Sequence, residues 1–446
     1  MTSLKQLAIR GAIWTIASYG FSQIIRFGGN LILTRLLAPQ LFGLMTLVTV
    51  FIVGLNLFSD VGVGPSVVRS KRGDDPDFLN TAWTIQVIRS FIVWGFCILI
   101  AFPISRLYNE PQLLWLIPIV GFGGVISGFS STAGLTLERH MEMRRSTLFS
   151  LGGQVLSIVI LIVWAKISPT IWALVLGNLL TSLVSTIWSY YLIPGTKNRF
   201  AWDAEAVQDL FGFGQWIFLS TAVTFLAEQV DRLMLGKLIA LETLGVYGVA
   251  YALADIPRQV LAAVSSRVFF PTFSKMVDQP RDVFLAKILK NRLPLLLVSA
   301  LSLTVLVGAG DFIITLLYDR RYAQASWMLP IMALGIWPRV LTQTIDQVFF
   351  ALGQPRYPAY GCIAKFVFML IALPTGFHFL GIAGAVIAVS LNDLPFYLVV
   401  IVGLQREKLS PLKQDLQATL VFVGLVALVL LGRSLLSLGS PFQGIF

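Results

Sequence analysis

Apolar runs about 20 residues long follow one another through this chain, separated by short segments rich in lysine and arginine. A helix crossing a bilayer needs about 20 mostly apolar residues, and its backbone must satisfy its own hydrogen bonds there. Only 12% of the 446 residues are charged and 56% are hydrophobic, against about 25% charged in a typical soluble protein. That balance excludes an ordinary soluble domain. It also excludes disorder, which needs low hydrophobicity and high charge. The remaining class is an all-α, polytopic membrane protein.

Thirteen spans are expected, at about 11–34, 41–64, 81–103, 112–135, 148–166, 170–193, 210–235, 243–270, 292–317, 327–352, 359–378, 380–402 and 417–438. The segment from Pro271 to Asn291 has room for an amphipathic helix on the membrane surface. Basic residues orient such a chain, because cytoplasmic loops carry the excess of lysine and arginine. With the N-terminus in the cytoplasm, inside segments hold twenty of them and outside segments seven. The net charge of +11 is therefore read as topology. Nucleic acid is not a partner, since the cations punctuate apolar runs and form no single patch. The run after Lys5 and Arg10 lacks a small-residue cleavage site and reads as a retained first span. Cys97 and Cys362 both lie in apolar runs and are expected to pack as small apolar groups.

The segment Leu31–Gly43 (LILTRLLAPQLFG) recurs at Leu233–Gly245 (LMLGKLIALETLG), a constant offset of 202. It joins the first two spans of one half and the seventh and eighth spans of the chain. That places six spans in each of two parallel repeats: residues 1–209, residues 210–404, and 405–446 as a linker with one extra span. Parallel repeats are a transporter signature, with the substrate site between the halves near mid-membrane.

The stretches LTRLLAPQLFGLM and LFSDVGVGPSVVR, and EQVDRLMLGKLIALETLGVYGVAYALADIPRQVLAAVSSRVFFP, carry a resemblance. They are similar to polysaccharide-transport flippases of the multidrug/oligosaccharidyl-lipid/polysaccharide exporter superfamily, over spans one to twelve. The resemblance implies two six-helix lobes around a central cavity. It implies transfer of a polyprenyl-diphosphate-linked oligosaccharide across the inner membrane by alternating access, for cell-surface polysaccharide biosynthesis. A polysaccharide polymerase is a partner such a flippase would serve. The single extra span departs from family members with twelve or fourteen.

A charge at mid-bilayer costs about 2.5–3.5 kcal/mol on the insertion scale, so it faces a cavity or a partner. Gln23, Arg26 and Asn30 share one face of the first span. Arg89, with Gln86, lies in the third span, and Asp60 stands in the second, at the family's acidic position near its cytoplasmic end. Span seven carries Glu228, Asp231 and Arg232; the i, i+4 spacing of Glu228 and Arg232 predicts a local ion pair, leaving Asp231 free to face a cation or a residue in another lobe. Span eight carries Asp255 and Arg258 around Pro257, where a break suits a moving gate. Tyr247 and Tyr251 either stack on sugar rings or sit in the interfacial aromatic belt, and the belt is the expectation. Arg339, Gln343, Asp346 and Gln347 form a polar stripe on span ten, with Lys365 and Asp393 as its partners from spans eleven and twelve. Arginine stays charged and offers phosphate a planar fork. Arg26, Arg258 and Arg339 are therefore the expected headgroup ligands, with Gln23, Asn30, Arg89 and Gln343 around them. Asp60, Glu228, Asp231, Asp255 and Asp346 are the carboxylates available for ion pairing or for coupling to H⁺ or Na⁺.

The sequence has no G-x-x-x-x-G-K-[ST] motif, so it does not encode an ATP-driven pump. Its two histidines, His140 and His378, are far apart; no metal site or other cofactor is implied. Two alternatives stay open. A multidrug exporter of the same superfamily would carry cations and want acids in its cavity. A membrane glycosyltransferase or polymerase would need acid/base groups at an external mouth, where only Glu110, Glu242 and Asp319 are scattered. The arginines in the spans favour an anionic cargo and a transporter over an enzyme.

Overall fold

In the computed structural model the described residues are 4–60, 62–140, 142–193, 198–265, 269, 273 and 276–444. The side chains of 4–19, 69, 143, 209 and 211–220 fall outside the description, which leaves out the basic residues Lys5, Arg10 and Arg69. Every regular element among the described residues is helical. Among the described residues seven helices are long and apolar enough to cross a membrane, or eight if the bent pair Leu113–Gly128 and Ala133–Arg139 is one span. Their apolar windows are at most 44% buried. The rest of that surface is leucine, valine, isoleucine and phenylalanine left exposed, as at Leu420, Leu431 and Phe379, which is what helices solvated by lipid require. The protein is a multi-pass membrane protein.

The chain divides into two compact units, residues 1–225 and 226–446. In the first unit the helix Leu4–Leu36 turns through Ala38 into Pro39–Phe58. Pro39 opens that helix, where its missing N–H is no loss. Asp60 accepts a 2.9 Å bond from the amide of Gly62, and Gly62, at φ 73°, starts the short helix Val63–Arg69. Pro76–Tyr108, Leu113–Gly128, Met143–Ile167 and Ile171–Ser189 complete the unit.

The second unit runs through the same order of elements. Ala204–Leu238 crosses the boundary and turns through Ala240 into Leu241–Ala254. Ala38 (φ −74°, ψ 147°) and Ala240 (φ −62°, ψ 148°) share one backbone geometry, so the repeat read in the sequence is a repeated turn. Asp255 then marks a break before Ile256–Val264. Arg281–Leu317 is continuous. Residues 281–291 are thus the start of the ninth span and no separate surface helix; residues 271, 272, 274 and 275 lie outside the described residues.

The tenth span is divided into Ala325–Gly335, Trp337–Gln343 and Gln347–Ala351. Spans eleven and twelve are a hairpin: Arg356–Ser390 reverses at Gly381, φ 59°, followed by Asp393–Arg406. Only glycine adopts that φ readily, and a Cβ on either Gly376 or Gly384 would overlap the other's backbone carbonyl. The extra helix is Leu412–Leu435.

Residues 198–203 are strapped to the first turns of Pro76–Tyr108. The amides of Arg199, Ala201 and Asp203 donate to Asn80 Oδ1, Thr84 Oγ1 and Thr81 Oγ1, each at 3.1 Å. Arg72 Nη2 lies 2.5 Å from Asp203 Oδ2, while Arg139 pairs with Asp74 at 2.9 Å. The hydrogen bond from Arg72 holds the Asp203 carboxyl below its usual range, and the bond from Arg139 does the same for Asp74. A carboxyl whose pKa is depressed by folding stabilises the fold above its ordinary value near 4 and stops doing so as pH falls through the folded value. The amides of Glu205 and Ala206 donate to Asp203 Oδ1. Their hydrogen-exchange protection is expected to hold from pH 7 down to about 4 and to fade below it. Protection that faded already near pH 6 would show that the Arg72–Asp203 pair does not hold this strap.

Candidate functional site

Five elements of the second unit bring their charges into one cleft. Glu228 and Asp231 are i, i+3 on Ala204–Leu238 and so share a face. The break at Asp255 sets Asp255 and Arg258 beside them. Arg339 comes from the short helix Trp337–Gln343, Lys365 from the hairpin's first arm, and Asp393 from the start of its last helix. Four carboxylates therefore line the cleft with three cations, together with Tyr251, Ser390 and Asn392. Gly335 allows the tenth span this close: a Cβ there would overlap the backbone of Ser390.

The pairing is specific. Arg258 clasps Asp255 with Nε and Nη2, the latter at 2.8 Å, and Gln259 Nε2 adds a 2.9 Å bond to the same carboxylate. Lys365 Nζ is 2.9 Å from Asp393 Oδ1 and 3.4 Å from Glu228 Oε1. Arg339 Nη2 is 3.8 Å from the same Glu228 oxygen, and its guanidinium stands 4.6 Å over the ring of Phe396. Asp231 accepts the hydroxyl of Tyr247. Two donors of Arg339, Nε and Nη1, are buried without a hydrogen-bond partner, and so is the acceptor Asn392 Oδ1. Free space in the cleft is about 30 Å³, enough for about two waters and far too little for a diphosphate.

Of the residues expected from sequence, Arg258, Arg339, Glu228, Asp231 and Asp255 meet here; Lys365 and Asp393, expected as partners of the span-ten stripe, pair with each other. Asp346 and Gln343 are buried next to this region but do not line the cleft; Asp346 accepts from Gln347 at 3.3 Å. In the first unit Gln23, Arg26 and Asn30 share a face of Leu4–Leu36, and Arg26 is exposed on it. Arg89 donates to Ser59 Oγ at 3.0 Å and to the carbonyl of Asn56 at 2.6 Å, which ties it to the end of the second span near Asp60.

Two expectations are corrected. Glu228 does not pair with Arg232, which instead binds Gln229 at 2.6 Å and lies 5.1 Å over the ring of Tyr251. A local i, i+4 pair is worth about 0.2–0.5 kcal/mol, and two cations from other helices outbid it. Tyr247 and Tyr251 are no interfacial belt: Tyr247 is buried, its ring stacks on Tyr251 at 6.0 Å, and Tyr251 lines the cleft.

The sequence also hid one residue. Arg292, counted with the inside loop charges, is 0% exposed. Its guanidinium meets Asp415 Oδ1 at 2.5 Å, Thr344 Oγ1 at 2.6 Å, the carbonyl of Leu341 at 2.7 Å and Gln414 Oε1 at 3.3 Å. The available signal was charge at matching depth: Arg292 opens the ninth span and Asp415 precedes the thirteenth.

Residues 32–326 match the family described as polysaccharide biosynthesis protein. The teichuronic acid biosynthesis protein TuaB of Bacillus subtilis is 24% identical over 81% of this chain and 74% of its own length. The lipopolysaccharide biosynthesis protein WzxC of Escherichia coli is 24% identical over 62% of this chain and 56% of its own. Among solved structures, the lipid II flippase MurJ in an inward closed conformation superposes with a TM-score of 0.71 at 15% identity, covering 93% of this chain and 92% of that one. An inward-facing multidrug resistance transporter of the MATE family gives 0.67 at 14% identity, over 90% and 95%. At such identities the likeness is one of fold. With two thirds of its length matched, the chain belongs to the polysaccharide biosynthesis protein family.

Proposed function

We propose that this protein is a flippase that moves polyprenyl-diphosphate-linked oligosaccharides across the inner membrane by alternating access, with its N-terminus in the cytoplasm, for assembly of a cell-surface polysaccharide. It moves its substrate and leaves the bonds of that substrate intact. One observation carries the choice of cargo: Arg339 keeps two buried, unbonded N–H groups in a cleft it shares with Arg258 and Lys365. A buried donor without an acceptor costs about 1–3 kcal/mol, and phosphate oxygens are the acceptors that fit a guanidinium fork. The unbonded Oδ1 of Asn392 offers a sugar hydroxyl an acceptor. Transport of a diphosphate requires the cleft to open well beyond its present 30 Å³.

The four carboxylates against three cations are the feature that favours a cation exporter. Their bonding argues the other way. Asp255 is held by Arg258 and Gln259, Asp393 by Lys365, Asp231 by Tyr247, and Glu228 faces Lys365 and Arg339. The spare hydrogen-bonding capacity lies chiefly on the cationic side.

The test is leaflet transfer in proteoliposomes. Purified protein is reconstituted with a fluorescent polyprenyl-diphosphate oligosaccharide, and its access to an external quencher is followed. Protein-dependent transfer is expected. Absence of transfer, with ion-driven efflux of a cationic dye by the same vesicles, would replace this reading with the exporter.

A further inference from the structure

We infer that Glu228 is a tethered stand-in for the substrate's phosphate: it occupies Arg339 and Lys365 while the site is closed, and the diphosphate displaces it. This rests on the flippase reading above and adds the device that controls the same site.

The four carboxylates of the cleft are not equivalent. Asp255 is fixed by three hydrogen bonds from two side chains one turn away. Asp393 holds Lys365 at 2.9 Å. Asp231 is engaged by a buried tyrosine and touches none of the three cations by ion pair. Glu228 alone bridges two cations, and does so loosely, at 3.4 Å and 3.8 Å, with its side chain 27% exposed. It leaves Nε and Nη1 of Arg339 unbonded, so a carboxylate in this position fills the charge requirement of the cations without filling their hydrogen bonds. A phosphate, with more oxygens and more charge, fills both. Exchange therefore has a direction.

Exchange also has a mechanical consequence. Glu228 belongs to Ala204–Leu238, while Arg339 and Lys365 belong to Trp337–Gln343 and Arg356–Ser390. Its two loose bridges are ion pairs from the first of these helices to the other two. Displacing the carboxylate cuts those bridges at the moment the headgroup arrives. Headgroup binding and release of the helix are then one event. After the substrate leaves, the carboxylate returns and neutralises the cations, so the empty carrier does not hold bare charge in the membrane.

A competitor within the site weakens the apparent affinity by the fraction of time the site is open to ligand. Removing it must therefore tighten binding. The experiment measures binding of geranylgeranyl diphosphate to the purified full-length protein in detergent, together with proteoliposome transfer. Glu228→Gln is expected to bind about tenfold tighter or more and to transfer more slowly, because release and helix coupling both depend on the returning carboxylate. Glu228→Asp, shortened by one methylene, keeps the charge and is expected to fall between; it serves as the test if the glutamine variant does not fold. Asp231→Asn removes a charge of the same cleft from the same helix without breaking an ion pair to the two cations, and is expected to tighten binding clearly less than Glu228→Gln does. Wild-type protein that binds no diphosphate would overturn the flippase reading itself. Wild-type binding with Glu228 variants no tighter would overturn the exchange and leave that reading standing. Equal tightening by Asp231→Asn would reduce the effect to the general field of the cleft and would equally overturn it.

Discussion

Asp415→Ala is expected to lower the thermal unfolding midpoint of the purified protein by on the order of 5 °C, the largest stability loss of any single side-chain truncation proposed for this protein. Arg292 and Asp415 form an ion pair that is 0% and 2% exposed at the side chains. Removing one partner of such a pair costs about 3–5 kcal/mol, because the other charge stays buried without compensation. Arg292 keeps Thr344, the Leu341 carbonyl and Gln414, all neutral, and Tyr397 loses the carboxylate its hydroxyl meets at 3.0 Å. The pair fastens the extra helix Leu412–Leu435 to Arg281–Leu317 and to the divided tenth span. The double variant Arg292→Met, Asp415→Leu is expected to recover most of the loss, since apolar replacement of both charges is often neutral. A single variant as stable as wild type would mean the helix is held by its apolar contacts alone.

Arg339→Ala and Arg258→Ala are each expected to slow leaflet transfer about 100-fold while the protein still reaches the membrane. On the proposed reading each removes up to two charge-assisted bonds to phosphate, worth about 1.5–3 kcal/mol apiece, and about 2.7 kcal/mol corresponds to 100-fold in rate. Arg339→Lys keeps the charge and loses the fork, so it is expected to restore only part of the rate. The two alanine variants differ in what they leave behind. Without Arg258, Asp255 retains only Gln259 among its side-chain donors; without Arg339, Glu228 retains Lys365. Initial rates at matched protein content in proteoliposomes decide the matter, and full rates in both variants would take these arginines out of the transport step.

Asp255 and Arg258 stand within one helical turn of a proline break, so spacing alone brings both to that break, and the structure adds the ion pair between them. Lys365 and Asp393 are legible as opposite charges on spans eleven and twelve but not as each other's partner; the hairpin turning at Gly381 decides that. Glu228 went to the wrong partner: local spacing offered Arg232, and the helices carrying Lys365 and Arg339 follow it by more than a hundred residues. Arg292 looked like a loop charge because spans were bounded by hydropathy, and hydropathy does not reveal that a charge at a span's edge has a carboxylate facing it.

The sequence by itself determined the all-α membrane architecture and the repeated turn at Ala38 and Ala240. Both follow from local or one-dimensional properties: the apolar length a bilayer demands, and short segments whose residues fix their own backbone. Tertiary structure alone decided which charges share the cleft, which donors of Arg339 stay unbonded, and how the extra helix is fastened. In a low-dielectric interior a charge is governed by whichever opposite charge packing brings within a few ångströms. That distance is set by which helices stand face to face, and spacing along a chain does not encode it.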